Sequence, residues 1–280
     1  MRAIGRTIEI QGGYVRDFVT IRFVSSMIAF AITIWLVSAC TTTPPNPAFP
    51  THAQAQATLK LMEATPITPS HPILILGGYM DPGFAAASLE KAVRAGTSPS
   101  AEIVAVSFGD CTSFTQCRNR TLRAMAPWKD REVDVIANSM GGLVARFSAM
   151  DASQIEECGR RAATNDPPLR IHTLFTLSSP HLGAVMAEIG ASSVLTLDMR
   201  QGSKFLACLD HALATATYEL VCYGRTNDSI VGMDRCAPEG HELRWVATPR
   251  FEFGHIGANK DPRILADMLA AIRASNVPSP

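Results

Sequence analysis

The feature that constrains the fold most is an alternation of apolar strand-like segments with helical segments from about residue 71 onward. The strand-like segments are short and rich in Val, Ile, Leu and Phe, as buried strands are. Because strands that alternate with helices form parallel sheets covered on both faces, the pattern predicts an α/β fold with a mostly parallel sheet. The predicted strands are Ile73–Leu76, Ile103–Phe108, Val133–Ala137, Ile171–Leu177, Leu220–Tyr223 and Leu243–Ala247.

The segments between these strands have the periodicity of helices. Helices are predicted near residues 84–95, 118–126 and 140–151 and in several parts of 182–215. The last helix has the clearest start, because Asp261 can cap it and Pro262 suits its first turn. The size of the body fits one large domain, so residues 71–280 are predicted to form a single domain.

The N-terminal segment has the layout of an export signal. Residues 23–39 carry no charged side chain and follow an arginine-containing stretch, which predicts a signal peptide over residues 1–39. The segment ends in Val37-Ser38-Ala39-Cys40, which resembles the lipobox of bacterial lipoproteins. The resemblance implies that Cys40 is lipidated and becomes the new N-terminus. An uncleaved membrane anchor facing the periplasm stays open, because the apolar run is close to the lower limit of about 17 residues for crossing a bilayer.

Either reading places the body outside the cytoplasm, in the cell envelope. Thr41 follows the cysteine, and lipoproteins of Gram-negative type without Asp at this position resemble those sorted to the outer membrane. Residues 40–70 are rich in Pro, Thr and Ala, which predicts a tether. The chain has 25 basic and 25 acidic side chains and no basic cluster, so no nucleic-acid partner is expected.

Six cysteines follow Cys40, and an even number in an oxidising compartment predicts disulfides. Cys111 with Cys117 and Cys222 with Cys236 are plausible local pairs, which would leave Cys158 with Cys208. The connectivity stays open, as does the alternative that some are buried thiols. No cysteine or histidine group has metal-ligand spacing, so neither a metal nor a cofactor is expected.

The segment Ile136–Arg146, IANSMGGLVAR, places Ser139 where the apolar period changes from that of a strand to that of a helix. A turn this tight strains its central residue and requires small residues two positions before and after it, where Ala137 and Gly141 stand. The segment resembles the nucleophile elbow of the α/β-hydrolases, in the form A-x-S-x-G that some small bacterial lipases use. The resemblance implies the α/β-hydrolase fold, with Ser139 as the nucleophile.

The same resemblance extends to the partners of the serine. The turn from Gly224 to Val231 resembles the G-x-x-D-x-x-V turn that carries the acid in this family, which implies Asp228, with Asp234 as the open alternative. His255 lies after the last strand and before the last helix, the place of the family's histidine. The order Ser, Asp, His along the chain matches the family's order.

The first predicted strand is followed by Gly77-Gly78-Tyr79-Met80, where the family usually reads His-Gly-X. The resemblance implies that the backbone N–H groups of Tyr79 and Met140 form the oxyanion hole. Residues 177–183 are similar to the T-P-H-x-G turn of lipases, and residues 198–206 are similar to a lid-region segment of the family.

The insertion at about 182–215 is largely apolar and is predicted to form a helical lid. The side chains expected to line an acyl pocket are Val185, Met186, Ile189 and Leu195. The alternative is that they pack on the core, as an apolar helical stripe usually does.

The predicted function is that of a serine ester hydrolase, a lipase or carboxylesterase, acting on apolar acyl esters through an acyl-enzyme. The expected partners are a small-molecule or lipid ester and the membrane that holds the N-terminal lipid. Two alternatives stay open: an acyltransferase or amidase with the same triad, and a catalytically silent lipoprotein that binds in the envelope.

Overall fold

The computed structural model describes residues 49–161, 166–189 and 193–276. The predicted signal peptide and the predicted lipidation site at Cys40 lie outside these residues. No helix within the described ranges is long and apolar enough to cross a membrane.

The described chain forms one six-stranded sheet in which all neighbouring strands are parallel. Its strands are β1 Ile73–Leu76, β2 Ile103–Val106, β3 Val133–Asn138, β4 Ile171–Leu177, β5 Glu219–Arg225 and β6 Leu243–Val246. Their spatial order is β2-β1-β3-β4-β5-β6, so the chain reverses direction across the sheet between β1 and β3. Ligands of open α/β sheets bind at the carboxyl ends of the strands beside such a reversal. The predicted parallel sheet is thus confirmed.

Helices cover both faces of this sheet. They are α1 His52–Ala64, α2 Phe84–Ala95, α3 Phe114–Ala124, α4 Met140–Ala149, α5 Ala152–Glu157, α6 Val185–Glu188, α7 Val194–Asp198, α8 Lys204–Leu213, α9 Gly254–Gly257 and α10 Pro262–Ala274. Helix α3 begins before its predicted start because the Ser113 side chain caps it. The predicted helix 140–151 is divided because Asp151 caps a new helix, α5.

The core consists of two apolar layers, one on each face of the sheet. Successive residues of β1 point to opposite faces, so Leu74 and Leu76 belong to one layer and Ile73 and Ile75 to the other. The first layer is built with α3, α4 and α8 and includes the stacked aromatic pair Phe114 and Phe205. The second layer is built with α2 and α10.

The predicted tether at 40–70 is wrong for residues 52–64, which form α1. Thr51 and Gln54 form a reciprocal capping box at its start, a strong local signal for a helix. Met62 is buried against α10, and Arg273 of α10 donates hydrogen bonds to the carbonyl groups of Met62 and Thr65, each at 2.8 Å. This part of the chain therefore belongs to the folded body.

The disulfide found among the described residues is the pair that the two plausible local pairs would leave over. Cys158, which follows α5, forms a disulfide with Cys208 of α8. The four other cysteines of the described chain are buried thiols: Cys111, Cys117, Cys222 and Cys236. Burial raises the pKa of the Cys222 thiol to about 11. The two local pairs are not formed, and the alternative of buried thiols, at core positions where a cysteine behaves as a small hydrophobic residue, is confirmed for these four.

Candidate active site

Ser139 is the single residue between the end of β3 and the start of α4. Its φ of 53° and ψ of −126° lie in a region that residues with a side chain rarely adopt. Its N–H donates a 2.8 Å hydrogen bond to the carbonyl group of Leu177 on the neighbouring strand. A Cβ at Gly141 would lie 2.6 Å from the carbonyl oxygen of Gly77, so only glycine allows α4 to approach the end of β1. The structure has the sharp turn that the sequence predicts.

Two further predicted residues lie beside this serine. Nε2 of His255 lies 3.0 Å from Oγ of Ser139, and Nδ1 of the same ring lies 2.9 Å from Oδ2 of Asp228. The Asp228 side chain is fully buried, whereas the His255 side chain keeps 12% of its surface exposed. Asp234, the alternative acid, is exposed on the 3₁₀ turn Met233–Arg235. The described geometry therefore favours Asp228 as the partner of the histidine.

Asp228 is held in its charged form. Burial alone would raise the pKa of this carboxyl, but the facing His255 and the N–H group of Val231 outweigh burial and hold the pKa below its usual value. Oδ1 accepts hydrogen bonds from the N–H groups of Ile230, at 3.1 Å, and Val231, at 2.9 Å. With Oδ1 occupied in this way, Oδ2 is left to accept the Nδ1 proton of the imidazole, which makes Nε2 the acceptor for the serine proton.

Arg225 holds the histidine loop against the strand that precedes the acid. It ends β5, is 1% exposed, and donates from Nη2 to Glu252 at 2.6 Å and from Nη1 to the carbonyl group of Phe253 at 3.2 Å. Its Nε lies 3.2 Å from Oδ2 of Asp261, the residue that caps α10. The sequence does not indicate this role of Arg225, because its partners lie far along the chain and follow no motif.

The loop after β1 passes directly beside the serine, since a Cβ at Gly78 would lie 3.2 Å from Cβ of Ser139. The backbone N–H groups of Tyr79 and Met140 donate no hydrogen bond to any other described residue. For Met140 this follows from its place as the first residue of α4, where helix N–H groups have no partner within the helix. The role of both groups as oxyanion donors stays a prediction.

Asp81 supports the loop after β1. The α/β-hydrolases usually have a histidine in this loop, at the position where this chain has Gly77. Oδ1 accepts the N–H groups of Gly83 and Ala85 at 3.0 and 3.2 Å, and Oδ2 accepts that of Ala86 at 3.2 Å. A Cβ at Gly77 would lie 2.7 Å from Oδ2, so glycine there leaves room for the carboxylate. The sequence does not reveal that Asp81 supports the loop, although Asp-Pro-Gly is a signal for the start of a helix.

The predicted pocket residues of the lid lie in three different environments. Leu195 is 1% exposed and packs in the core, as the alternative of core packing expects, because the apolar stripe of α7 turns it inward. Ile189 is 68% exposed. Val185 and Met186 are half-buried, and their N–H groups donate to the carbonyl groups of the loop that carries the acid. The start of the predicted lid segment is therefore fixed to that loop.

A buried histidine supports the turn after β4. His181 is fully buried, and burial, with the nearby Arg146 guanidinium, lowers its pKa well below the usual range. Its Nδ1 accepts a 3.1 Å hydrogen bond from Arg146, and its Nε2 lies 3.1 Å from the Thr176 hydroxyl. Arg146 also pairs with Asp210 of α8 at 2.8 Å. His181 is thus a neutral link between the sheet, α4 and the lid region.

Comparison with known families supports a hydrolase-type site. Residues 114–217 match a family model described as "Putative serine esterase (DUF676)". The matched region contains Ser139 and the lid and ends before Asp228 and His255. A comparison with curated proteins finds no match.

Solved structures of similar shape have low sequence identity to this chain. The mature lipase BlEst2 from Bacillus licheniformis is 12% identical, with 83% of this chain and 96% of that chain covered and a TM-score of 0.51. The phospholipase PlaB from Legionella pneumophila is 13% identical, with 75% of this chain covered and a TM-score of 0.50. This chain spans 60% of the PlaB chain. Together with the parallel sheet and the turn at Ser139, these likenesses show that the chain has the α/β-hydrolase fold.

Proposed function

We propose that the protein is a serine ester hydrolase of the lipase or carboxylesterase type. The observation that carries the proposal is the continuous hydrogen-bonded chain from Ser139 through His255 to Asp228. The match of the serine-containing region to a family of serine esterases gives independent support. The same triad geometry recurs in hydrolases on unrelated folds, so it supports a reaction class more strongly than the fold does.

In the proposed reaction, Oγ of Ser139 attacks the ester carbonyl carbon while Nε2 of His255 takes its proton. The carbonyl oxygen becomes an oxyanion that accepts the N–H groups of Tyr79 and Met140. The imidazolium is stabilised by Asp228 and returns its proton to the leaving alkoxide. Water then repeats these steps on the acyl-enzyme and releases the acid.

The distribution of exposed apolar side chains supports an apolar acyl substrate. Apart from Leu61, every large hydrophobic side chain that the described residues expose lies on a segment after the carboxyl end of a strand. We call this set the apolar rim: Tyr79, Met80, Phe84, Ile189, Val194, Leu197, Phe251 and Ile256. Parallel strands bring their carboxyl ends to one edge, so the rim lies at the edge that carries Ser139. Exposed apolar side chains that gather at one edge of a sheet are expected at a ligand-binding site.

A fluorophosphonate probe tests the reaction class, because it phosphonylates only an activated serine. We expect one label per chain on Ser139, and no label in Ser139→Ala. A folded wild-type protein that takes no label would contradict the proposal and favour a silent binding protein. Labelling without ester hydrolysis, but with transfer to added alcohols or amines, would identify an acyltransferase.

The acyl preference is tested with p-nitrophenyl esters from acetate to palmitate. Each methylene buried in the transition state contributes up to about 0.8 kcal/mol, so kcat/KM should rise roughly fourfold per carbon until the site is full. Phe251→Ser should lose activity on long esters and keep it on acetate. Leu61→Ser is the matched control, because Leu61 is 65% exposed but lies on α1, outside the rim. A profile that falls beyond acetate would contradict an apolar acyl site.

We further propose that the body is anchored to the outer membrane by a lipid on Cys40. The proposal rests on the signal-like segment and on the small residues before the cysteine. Metabolic labelling with a radioactive fatty acid should mark the wild type and not Cys40→Ser. Label in that variant, or an intact N-terminus, would favour the membrane anchor.

A further inference from the structure

The amino edge of the sheet, opposite to Ser139, holds a cluster of His71, Asp134 and His172. These residues come from the loop before β1, from β3 and from β4, which are neighbours in the sheet. One nitrogen or oxygen ligand atom from each side chain lies within 4.8 Å of the other two. The N–H group of Asp134 donates to the carbonyl group of Pro72 at 3.0 Å, so strand pairing fixes the relative positions of the residues that bear the cluster.

The centre of the cluster is a buried carboxylate with an incomplete set of partners. Asp134 is 1% exposed. Its Oδ1 lies 3.0 Å from Nδ1 of His172, whereas Oδ2 makes no hydrogen bond to a described residue and lies 3.7 Å from Nδ1 of His71. Burial raises the pKa of Asp134, and the two histidines act against this shift. A buried carboxylate of this kind is costly unless a positive charge compensates for it.

The two histidines are arranged to supply ligands on one side of this carboxylate. Their rings are stacked, with centroids 4.1 Å apart and planes inclined by 25°. Both keep part of their side-chain surface exposed, 23% for His71 and 36% for His172, so water can reach the same side of the cluster. Two imidazole nitrogens and one carboxylate oxygen suit Zn²⁺ and similar transition metals, whereas Ca²⁺ and Mg²⁺ prefer oxygen ligands alone.

We propose that His71, Asp134 and His172 form a binding site for one divalent transition-metal ion of the Zn²⁺ class, with water as a further ligand. The ion would replace the present contacts of the two rings with Asp134, Thr173 and Ser70. Zinc binds nitrogen and oxygen at about 2.0–2.2 Å, so the ligand atoms must approach one another. The partly exposed rings can make that movement, while the buried carboxylate stays in place.

The position of the site indicates a structural role. Asp134 precedes Ser139 by five residues on β3, a separation of about 16 Å at the usual rise per residue. The ion therefore takes no part in ester hydrolysis. It would join the amino ends of three adjacent strands and add to the backbone pairing that already holds them. The sequence indicates no such site, because its three ligands lie in separate segments without metal-ligand spacing.

The test begins with full-length, metal-free protein and Zn²⁺ alone. Equilibrium dialysis should give one Zn²⁺ per chain, and Zn²⁺ at a hundredfold excess over Kd should raise the thermal unfolding midpoint by about 5–10 °C. Co²⁺ in place of Zn²⁺ should give visible absorption bands, which report nitrogen and oxygen ligation independently of activity. An unchanged midpoint, or weak binding of several ions per chain, would overturn the proposal.

Variants assign the binding to these residues. His71→Ala and His172→Ala should each lose stoichiometric Zn²⁺ binding, the Co²⁺ bands and the rise in midpoint. His211→Ala is the matched control, since His211 is exposed on α8, and it should behave as the wild type. Asp134→Asn should also lose binding, and if it does not fold the two histidine variants decide. Wild-type binding in both histidine variants would overturn the proposal.

Discussion

At the scale of single residues, the backbone of Ser139 is the most unusual feature of the site. A side chain at its φ and ψ costs on the order of 1–3 kcal/mol, and the surrounding structure has to supply that free energy. The hydrogen bond to Leu177 and the close contact of Gly141 with the end of β1 hold the turn in place. This conformation places the hydroxyl at the carboxyl edge of the sheet, beside the loop that follows β1.

If Ser139, His255 and Asp228 act as one catalytic unit, the decreases in kcat caused by single substitutions will not be additive. We expect Ser139→Ala and His255→Ala each to lower kcat by about 10⁶, because either change removes the same proton transfer and attack. The double variant should be barely slower than either single variant. Steady-state kinetics on a soluble short-chain ester measures all three, and additive losses would mean that the residues do not act together.

Substitution of Asp228 should lower kcat less than substitution of Ser139 or His255, because it affects the imidazole tautomer. Asp228→Asn keeps the shape but favours the wrong imidazole tautomer, so kcat should fall by about 10⁴. Asp234→Asn is the control, because Asp234 is exposed nearby and does not contact the histidine. Measured on the same ester, near-normal activity in Asp228→Asn together with a large loss in Asp234→Asn would reverse the assignment.

The residues of the site could be predicted from the sequence to different degrees. Ser139, Asp228 and His255 stand in recognisable local patterns, and their order along the chain limits the alternatives. Arg225 and Asp81 could not be assigned their roles, because those roles depend on contacts with loops that only the folded chain brings together. A local sequence motif identifies a turn, but it does not identify the side chains from distant parts of the chain that hold the turn in place.

At the scale of elements, the strands could be predicted well because each is a short, buried run between polar turns. The helices are harder to predict than the strands. Helix α1 has mixed Ala, Gln and Leu composition with little amphipathic character, and it follows a proline-rich stretch, so it looked like a continuation of that stretch. Its stability comes from packing against α10, which no local pattern encodes.

The turn after β4 should make stability depend on pH. His181 stays neutral in the folded state because its pKa is lowered, whereas in the unfolded chain it titrates near its usual value of about 6.5. Below that pH the unfolded state binds a proton that the folded state does not. Its contribution to the free energy of unfolding should therefore fall with decreasing pH, with a limiting slope of about 1.4 kcal/mol per pH unit.

Urea denaturation between pH 7 and pH 5 measures this slope. His181→Gln should be less stable at pH 7 but should lose stability less steeply as the pH falls, by about one proton. His211→Gln should keep the wild-type slope because His211 is exposed. Equal slopes in wild type and His181→Gln would show that the buried ring is not the group that titrates.

At the scale of the whole molecule, the folded body begins before the predicted domain boundary. A chain that starts at Phe49 retains α1 and the contact of Phe49 with Tyr223, and it is the reference for a shorter one. A chain that starts at His71 loses the packing of Met62 and two carbonyl partners of Arg273. We expect its midpoint to be lower by about 5–10 °C in differential scanning calorimetry. Equal midpoints would mean that α1 adds nothing to stability.

The two edges of the sheet have different proposed functions. Ser139 and the apolar rim lie at the carboxyl edge, and the proposed metal ligands lie at the amino edge. Since β3 contributes Asp134 near one end and leads into Ser139 at the other, changes at the amino edge should alter thermal stability with little effect on kcat. Parallel sheets allow this separation because their active sites lie at the carboxyl ends of the strands, a full strand length away from the amino ends.

The apolar rim belongs to a chain with little net charge at neutral pH: the full sequence has 25 basic and 25 acidic side chains, and removal of the predicted signal peptide would leave 21 basic and 23 acidic ones. Mutual charge repulsion, which keeps many proteins dispersed in solution, is therefore weak for this one. Two copies can bury their rims against each other, and both active serines would then be closed to substrate. We expect a concentrated solution of the protein without detergent or lipid to lose esterase activity through reversible self-association. Dilution or a mild non-ionic detergent should restore the activity.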